Sequence, residues 1–218
     1  MTRSEENYLK TIFHLGGNDA VPITTNAIAE QMETKPSSVT DMAKKLAEKG
    51  LVNYKKYQGV SLTELGTKTA LGIIRKHRLW EVFLVKKLDF SWDEVHEVAE
   101  QLEHIKSEKL IDKLDALLEF PKYDPHGDPI PTKDGKFQER DEQLLSEMNV
   151  NSKGVCVGVK DSSAPFLKFL DKNQIALGKS IKILDIEDFD QSLHIEMEGK
   201  ELRISHQIAS NLYVKKNE

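Results

Sequence analysis

His96, Glu100, Glu103 and His104 follow one another at steps of four, three and one in the segment DEVHEVAEQLEHIKS (93–107). On an α-helix these positions fall within an arc of roughly 100° and make one stripe of imidazole and carboxylate. Val95, Val98, Ala99, Leu102 and Ile105 make a second stripe on a different face. In the preceding segment His77 and Glu81 repeat the i, i+4 spacing, so two packed helices would bring both sets of donors together. Imidazole nitrogen with carboxylate oxygen is a ligand set for Mn2+, Fe2+, Co2+, Ni2+ or Zn2+. No thiolate joins either stripe, which argues against a structural cysteine-type zinc site. Such ligands must lose protons to bind, so occupancy should fall in acid. The same spacing also suits the solvated faces of ordinary amphipathic helices, and spacing alone leaves both readings open. A metal-dependent hydrolase would need a general base beside an open coordination position, and nothing resembles H-E-x-x-H, so no enzyme is expected.

The elements that must carry these donors are helical. Residues 64–87 read as one long helix and residues 92–118 as another, with Ser91 and Glu94 spaced as a capping box for the second. Upstream, residues 4–15 read as a helix with Ser4 as N-cap and Leu9, Ile12, Phe13 and Leu15 on its apolar face, ended by Gly16-Gly17-Asn18. Thr25 opens a short helix with Ile28, Ala29 and Met32. Pro36 then opens a third, with Val39, Met42, Ala43, Leu46 and Ala47 inward and Gly50 after its end. Two strand-like runs, 51–54 and 60–63, flank a turn at Gly59. Helix, turn, helix, hairpin, helix is the pattern of a winged helix-turn-helix.

Beyond the helices, PKYDPHGDPIPTKDG holds four of the seven prolines and reads as a loop. From about residue 148 the texture becomes alternating: Val155, Val157, Val159; Ile181, Ile183; Leu193, Ile195, Met197; Leu202, Ile204. A small β barrel with one helical stretch near Ala164–Leu170 is expected. The fold class is therefore mainly α with a small β domain. The boundaries are a winged helix-turn-helix over 1–70, a helical domain over 71–140 and the β domain over 148–218.

Composition is that of a soluble chain, with 31% charged residues and a mean hydropathy of −0.49. No apolar run approaches the roughly 18 residues of a membrane span, and MTRSEENYLK has no apolar signal core. The single cysteine, Cys156, makes no internal disulfide, which suits a reducing cytoplasmic location. Net charge is −5, yet residues 31–60 set Lys35, Lys44, Lys45, Lys49, Lys55 and Lys56 against Glu33, Asp41 and Glu48. A modest basic segment in an acidic chain suits a protein that needs help to hold DNA; it also suits a solvated helix face of mixed charge.

The chain resembles the diphtheria-toxin-repressor family of metal-dependent regulators, including its manganese-responsive branch. RKHRLWEVFL (75–84) and DEVHEVAEQLEHIKS (93–107) are similar to that family's metal-binding helices. ENYLKTIF (6–13) is similar to its first helix, and KPSSVTDMAKKLAEKGLV and DPHGDPIP (124–131) also fit. The resemblance covers essentially the whole chain and implies an SH3-like, FeoA-like C-terminal domain. It implies two neighbouring metal positions, one using His77, Glu81 and His96, the other Glu100, Glu103 and His104 with Asn7 from the first helix. Glu100 stands where iron-responsive members carry cysteine, and a hard carboxylate there favours Mn2+, with Fe2+ as alternative; Zn2+, Co2+ or Ni2+ could substitute in vitro. Three departures stand out. Asn7 replaces an aspartate and Lys10 a glutamate. The C-terminal ligands of some members are replaced near Asp161, Ser162 and Pro165. Asp124 and Asp128 occupy loop positions where some members hold an anion, so no anion site is expected.

In that setting the third helix should read DNA through Lys35, Ser37, Ser38, Thr40, Asp41 and Lys44, with Lys55, Lys56 and Tyr57 of the wing on the adjacent backbone. The hydroxyls at 37, 38 and 40 also suit helix capping. A few lysines per subunit give weak, salt-sensitive affinity, so a homodimer on palindromic double-stranded operator DNA is expected. The resemblance implies dimerisation through the 70–120 region, with Leu84, Val85, Leu110, Ile111 and Leu114 as candidate apolar area. The expected function is a metal-switched transcriptional repressor of metal homeostasis, with no membrane and no small organic substrate. The alternatives are an iron-responsive repressor of the same family, or a winged-helix regulator that metal does not switch.

Overall fold

The computed structural model describes residues 1–17, 20–137 and 141–216. Asn18 and the expected domain limits at 140 and 218 lie outside the described residues. The chain divides into two units by contact, each with its own core.

The first unit comprises Met1–Trp80, Ala99–Leu117 and Ile130–Phe137. Helix α1 (Arg3–Gly16) starts earlier than its apolar pattern suggests. Its cap is Thr2 rather than Ser4, because Thr2 and Glu5 close a reciprocal capping box at 3.3 and 3.0 Å. Helix α2 (Thr25–Gln31) is likewise capped by Thr24 rather than Thr25, the Thr24 hydroxyl accepting from Ala27 N at 3.1 Å. Helix α3 (Pro36–Glu48) begins on its proline, and Gly50 follows its end at a φ of 68°.

Strands β1 (Val52–Lys55) and β2 (Gly59–Leu62) form the antiparallel wing, from Val52 opposite Leu62 to Lys55 opposite Gly59. Ile23 bridges β2 through two 2.8 Å hydrogen bonds with Val60. Gly59 has a φ of 95°, and a Cβ there would lie 2.7 Å from the Ile23 carbonyl oxygen, so only glycine lets the Ile23 segment approach. Thr63 hinges the wing to helix α4 (Glu64–Leu88): its hydroxyl accepts from Gly66 N and donates to Gly50 O. Leu9, Ile12, Ile28, Val39, Leu46, Val60, Leu62 and Ile74 share one core.

The single helix expected over 92–118 is two: α5 (Val95–Leu102) and α6 (Glu108–Leu117). Ser107 supplies the break. Its hydroxyl accepts from Leu110 N and its carbonyl from Ile111 N, which restarts a helix instead of continuing one. Glu103 N still donates to Ala99 O at 2.9 Å, so the donor stripe extends one step past α5.

The second unit comprises Glu81–Val98, Leu118–Pro129 and the described part of 138–218. Its elements are β3 (Gln143–Leu144), β4 (Lys153–Val159), α7 (Ala164–Lys172), β5 (Ser180–Ile186), β6 (Leu193–Met197), β7 (Lys200–Ile204), α8 (His206–Ala209) and β8 (Leu212–Lys216). The six strands pair in the order β3-β8-β4-β5-β6-β7, every pair antiparallel. Alternation turns Ile181, Ile183, Leu193, Ile195 and Val214 inward against Leu167 and Leu170 of α7. Strands β3 and β8 escape the sequence pattern because β3 is only two residues long and β8 ends in lysines.

One expectation about apolar surface is corrected. Leu84, Ile111 and Leu114 are buried within the chain and Val85 half so; of the five residues named for dimerisation only Leu110 is exposed. Leu88 and Leu117 present the outward apolar area instead, at 52% and 56% exposure. The helices turn their richest stripes into their own cores, which hydrophobicity alone does not distinguish from an interface.

Candidate metal centre

In the first unit, α4 supplies His77, the turn after α5 supplies Glu103 and His104, and α1 supplies Glu6, Asn7 and Lys10. The Nδ1 of His77 lies 2.7 Å from Oε2 of Glu103, and both side chains are buried. Glu100 joins them, with ligand-type atoms of His77, Glu100 and Glu103 all within 4.8 Å of one another. On the other side of Glu103, His104 points Nδ1 at Glu6 (2.5 Å) and Nε2 towards Glu103 at 3.8 Å.

Lys10 projects its ammonium between the carboxylates, 2.8 and 2.9 Å from the two oxygens of Glu103 and in contact with Glu100. An ammonium only donates and cannot ligate an ion, so Lys10 sets a competing cation among the carboxylates. Burial pushes the Glu103 carboxyl up, but the His77 hydrogen bond and the Lys10 charge outweigh it and hold it below the ordinary carboxylate range.

Two buried atoms at this cluster, Oδ1 of Asn7 and Nε2 of His104, make no hydrogen bond. A buried polar group left so is unfavourable by about 1–3 kcal/mol. A cation among these donors would give His104 Nε2, 3.8 Å from Glu103, the partner it lacks, and the oxygen and imidazole donors of His77, Glu100 and Glu103 lie close enough to share one, so the residues present fit a metal.

The second unit holds another donor cluster. Glu81 leaves α4 towards a tight turn in which Asp124 Oδ1 accepts from His126 N at 2.8 Å and Asp128 N at 2.9 Å. Glu81, Asp124 and His126 are all buried, and their ligand-type atoms lie within 4.8 Å of one another. His96, more than half exposed, brings its Nδ1 to 3.5 Å from Glu81 Oε1. Burial alone would lower the His126 pKa. The Glu81 carboxylate, the Asp124 charge and the Trp92 carbonyl reverse that and raise it to about 9.

Asp124 and His126 are functional candidates that the helical pattern passes over. The available signal was D-x-H on a turn built from two prolines and a glycine, which gathers short side chains without any helical period.

The expected DNA-reading residues all lie in the first unit, on α3 and the wing, where Thr40, Lys56 and Tyr57 line one cavity. Lys35, Ser37, Ser38, Asp41, Lys44, Lys55 and Lys56 are exposed, and Tyr57 is 93% exposed. The hydroxyls do not cap α3, whose cap position is Lys35 with no side-chain bond. Thr40 is half-buried and donates back to Pro36 O at 3.0 Å. Tyr57 holds a φ of 68° at the wing tip, with the Lys56 ammonium 5.0 Å from its ring centre. By contrast Lys45 and Lys49, part of the same basic segment, reach Glu5 of α1 at 2.9 and 2.7 Å. They brace the reading helix.

Residues 1–60 match the iron-dependent repressor N-terminal DNA-binding domain, and residues 63–132 match the iron-dependent repressor metal-binding and dimerisation domain. Residues 143–216 match the FeoA domain. An uncharacterized HTH-type transcriptional regulator of Methanocaldococcus jannaschii is 39% identical over 119 residues, 55% of this chain and 95% of that protein. The iron-dependent repressor IdeR of Mycobacterium bovis is 34% identical over 126 residues, 58% of this chain and 54% of that one. Among solved structures, a manganese-dependent transcriptional repressor in complex with manganese matches at 31% identity and a TM-score of 0.85, covering 98% of this chain and 100% of that chain. ScaR with bound Cd2+ matches at 37% identity and a TM-score of 0.79, covering 98% and 99%.

Proposed function

The chain belongs to the diphtheria-toxin-repressor family of metal-dependent transcriptional repressors, and from that premise we propose that it binds palindromic operator DNA as a homodimer when a divalent cation fills its carboxylate–imidazole clusters. The observation that carries this reading is the burial of Glu81, Asp124 and His126 with ligand-type atoms within 4.8 Å of one another. Buried acidic groups of this kind persist where a cation or a fixed counter-charge compensates them. Matching the chain to a metal-binding and dimerisation domain supports the same conclusion.

The proposed ligands are Glu81 and His96, extended by Asp124 and His126, in one set, and His77, Glu100, Glu103 and His104 with Asn7 in the other. All offer oxygen or imidazole nitrogen. Cys156 stays apart in the core of the sheet, its thiol pushed up to about 11 by burial. Hard oxygens without thiolate favour Mn2+, with Fe2+ as the alternative. A bound cation supplies positive charge that selects the DNA-competent arrangement through its higher affinity for it.

The protein's own groups do the rest. Helix α3 presents Lys35, Ser37, Ser38, Thr40, Asp41 and Lys44 to the major groove, and Lys55, Lys56 and Tyr57 of the wing hold the phosphate backbone. Glu5 keeps α3 fixed to α1 through Lys45 and Lys49, so whatever α1 binds is felt by the reading helix. Gel-shift titration on operator DNA tests the proposal. Binding should vanish in EDTA and return with added Mn2+, more readily than with Fe2+; binding that ignores EDTA would refute it.

A further inference from the structure

We propose that Trp92 is a positioning residue through which the FeoA-type domain holds the Glu81–Asp124–His126 cluster ready for its cation, an inference that rests on the metal reading above. The first link is a main-chain one. Nε2 of His126 lies 2.7 Å from the carbonyl oxygen of Trp92. A carbonyl only accepts, so Nε2 carries a hydrogen, and in the neutral ring the lone pair falls on Nδ1. Nδ1 is the nitrogen that faces Glu81, at 3.8 Å. The Trp92 carbonyl therefore selects the tautomer that can ligate, as outer partners of metal-binding histidines do.

The second link fixes that carbonyl. Trp92 lies in the turn before α5, which Ser91 and Glu94 close around it, and its side chain ties that turn to α7. Its indole Nε1 donates to Asp171 Oδ2 of α7 at 3.0 Å, and its ring stacks on His126 with centroids 6.2 Å apart and planes 17° from parallel. The next residue, Asp93, faces Lys168 of the same helix at 3.5 Å. Residues 168 and 171 are one turn apart on α7, so one helix face grips two consecutive residues of the turn.

The far side of the metal loop is held by β4. Val159 N donates to His126 O at 2.9 Å. Gly127, with a φ of 85°, sits so close to β4 that a Cβ would lie 2.1 Å from the Val157 carbonyl oxygen. His126 is thus clamped between α7, acting through Trp92, and β4. The C-terminal domain thereby fixes which nitrogen of this imidazole is freed for an ion when the ring gives up its proton.

The experiment uses the full chain and three variants at Asp171 and Asp124. Asp171→Ala removes the acceptor for the indole without touching a donor of the cluster, and Asp171→Asn restores a carbonyl acceptor at the same place. Mn2+ titration by calorimetry should show affinity falling on the order of 10-fold in Asp171→Ala, with recovery in Asp171→Asn. Nitrogen NMR of the Zn2+-loaded protein should place the metal on Nδ1 of His126 and the hydrogen on Nε2. In a Trp80→Phe background the emission of Trp92 should shift with the same midpoint as the calorimetric curve. Unchanged affinity in Asp171→Ala, or a metal-bound Nε2, overturns the inference. Asp124→Asn separates the two levels: if it leaves the number of ions bound per chain unchanged, the metal reading of this cluster fails. If it removes one ion while Asp171→Ala has no effect, only the coupling fails.

Discussion

The ammonium of Lys10 lies within 2.9 Å of both carboxylate oxygens of Glu103. It is a cation built into the chain at a place where the surrounding donors fit a metal. Two unit charges 4 Å apart repel by about 4 kcal/mol at an effective dielectric of 20, so an ion entering beside Lys10 must overcome or displace it. Lys10→Met is expected to raise Mn2+ affinity at this cluster by at least about 10-fold, seen as a tighter phase in calorimetric titration. An unchanged isotherm would show that the ammonium does not compete.

Glu103 faces His77 and Lys10 and is fully buried. Truncation to alanine would leave Lys10 short of a buried partner and destabilise the fold by about 3–5 kcal/mol, so Glu103→Gln is the cleaner probe. It keeps the shape and removes the charge. The variant should fold, by circular dichroism, yet lose the Mn2+-dependent gel shift.

Glu5 joins α1 to α3, and hydrogen bonds from Lys49, Thr2 and Lys45 hold its carboxyl at about 2 instead of 4.5. A depressed pKa adds stability that is fully present above the unfolded value and disappears as pH falls through the folded one. The contribution should therefore fade between about pH 4.5 and pH 2. Denaturant unfolding of wild type and Glu5→Gln should differ by roughly 1–3 kcal/mol at pH 7 and converge near pH 2.

His126 has the opposite sign. Its pKa is raised to about 9, so in metal-free protein its contribution is complete below about 6.5 and lost as pH rises through about 9. At pH 7 the ring is charged, and a cation at the cluster must displace a proton. Calorimetry in two buffers of different ionisation enthalpy should show a proton released for the ion bound there. Its absence in His126→Gln would assign it.

Lys55 and Lys56 are exposed on the wing, and Lys44 on α3. Replacing one with alanine should weaken binding alike on all sequences and reduce the slope of log K against log salt by about 0.9. Ser37→Ala should instead change which operator bases are preferred, measured by competition with mutated sites.

The helical period of 93–107 and the i, i+4 pair at 77 and 81 led to helix faces for six donors, because a helix repeats its geometry locally; four lie on helices, and Glu103 and His104 fall in the turn after α5. The same logic located the wing from a turn glycine and recognised β4 to β7 from alternation. It ran past Ser107 because capping by one serine does not disturb a hydrophobic pattern. It also credited Lys45 and Lys49 to the basic segment, although both pair with Glu5, some forty residues away.

Only the tertiary structure brings Asp124 and His126 to Glu81, sets Lys10 among the carboxylates and stands Trp92 on α7. Those contacts join residues 43, 90 and 79 positions apart. No local period spans such distances; they follow from how whole elements pack, and a single side chain's charge or shape at the meeting point then decides the chemistry.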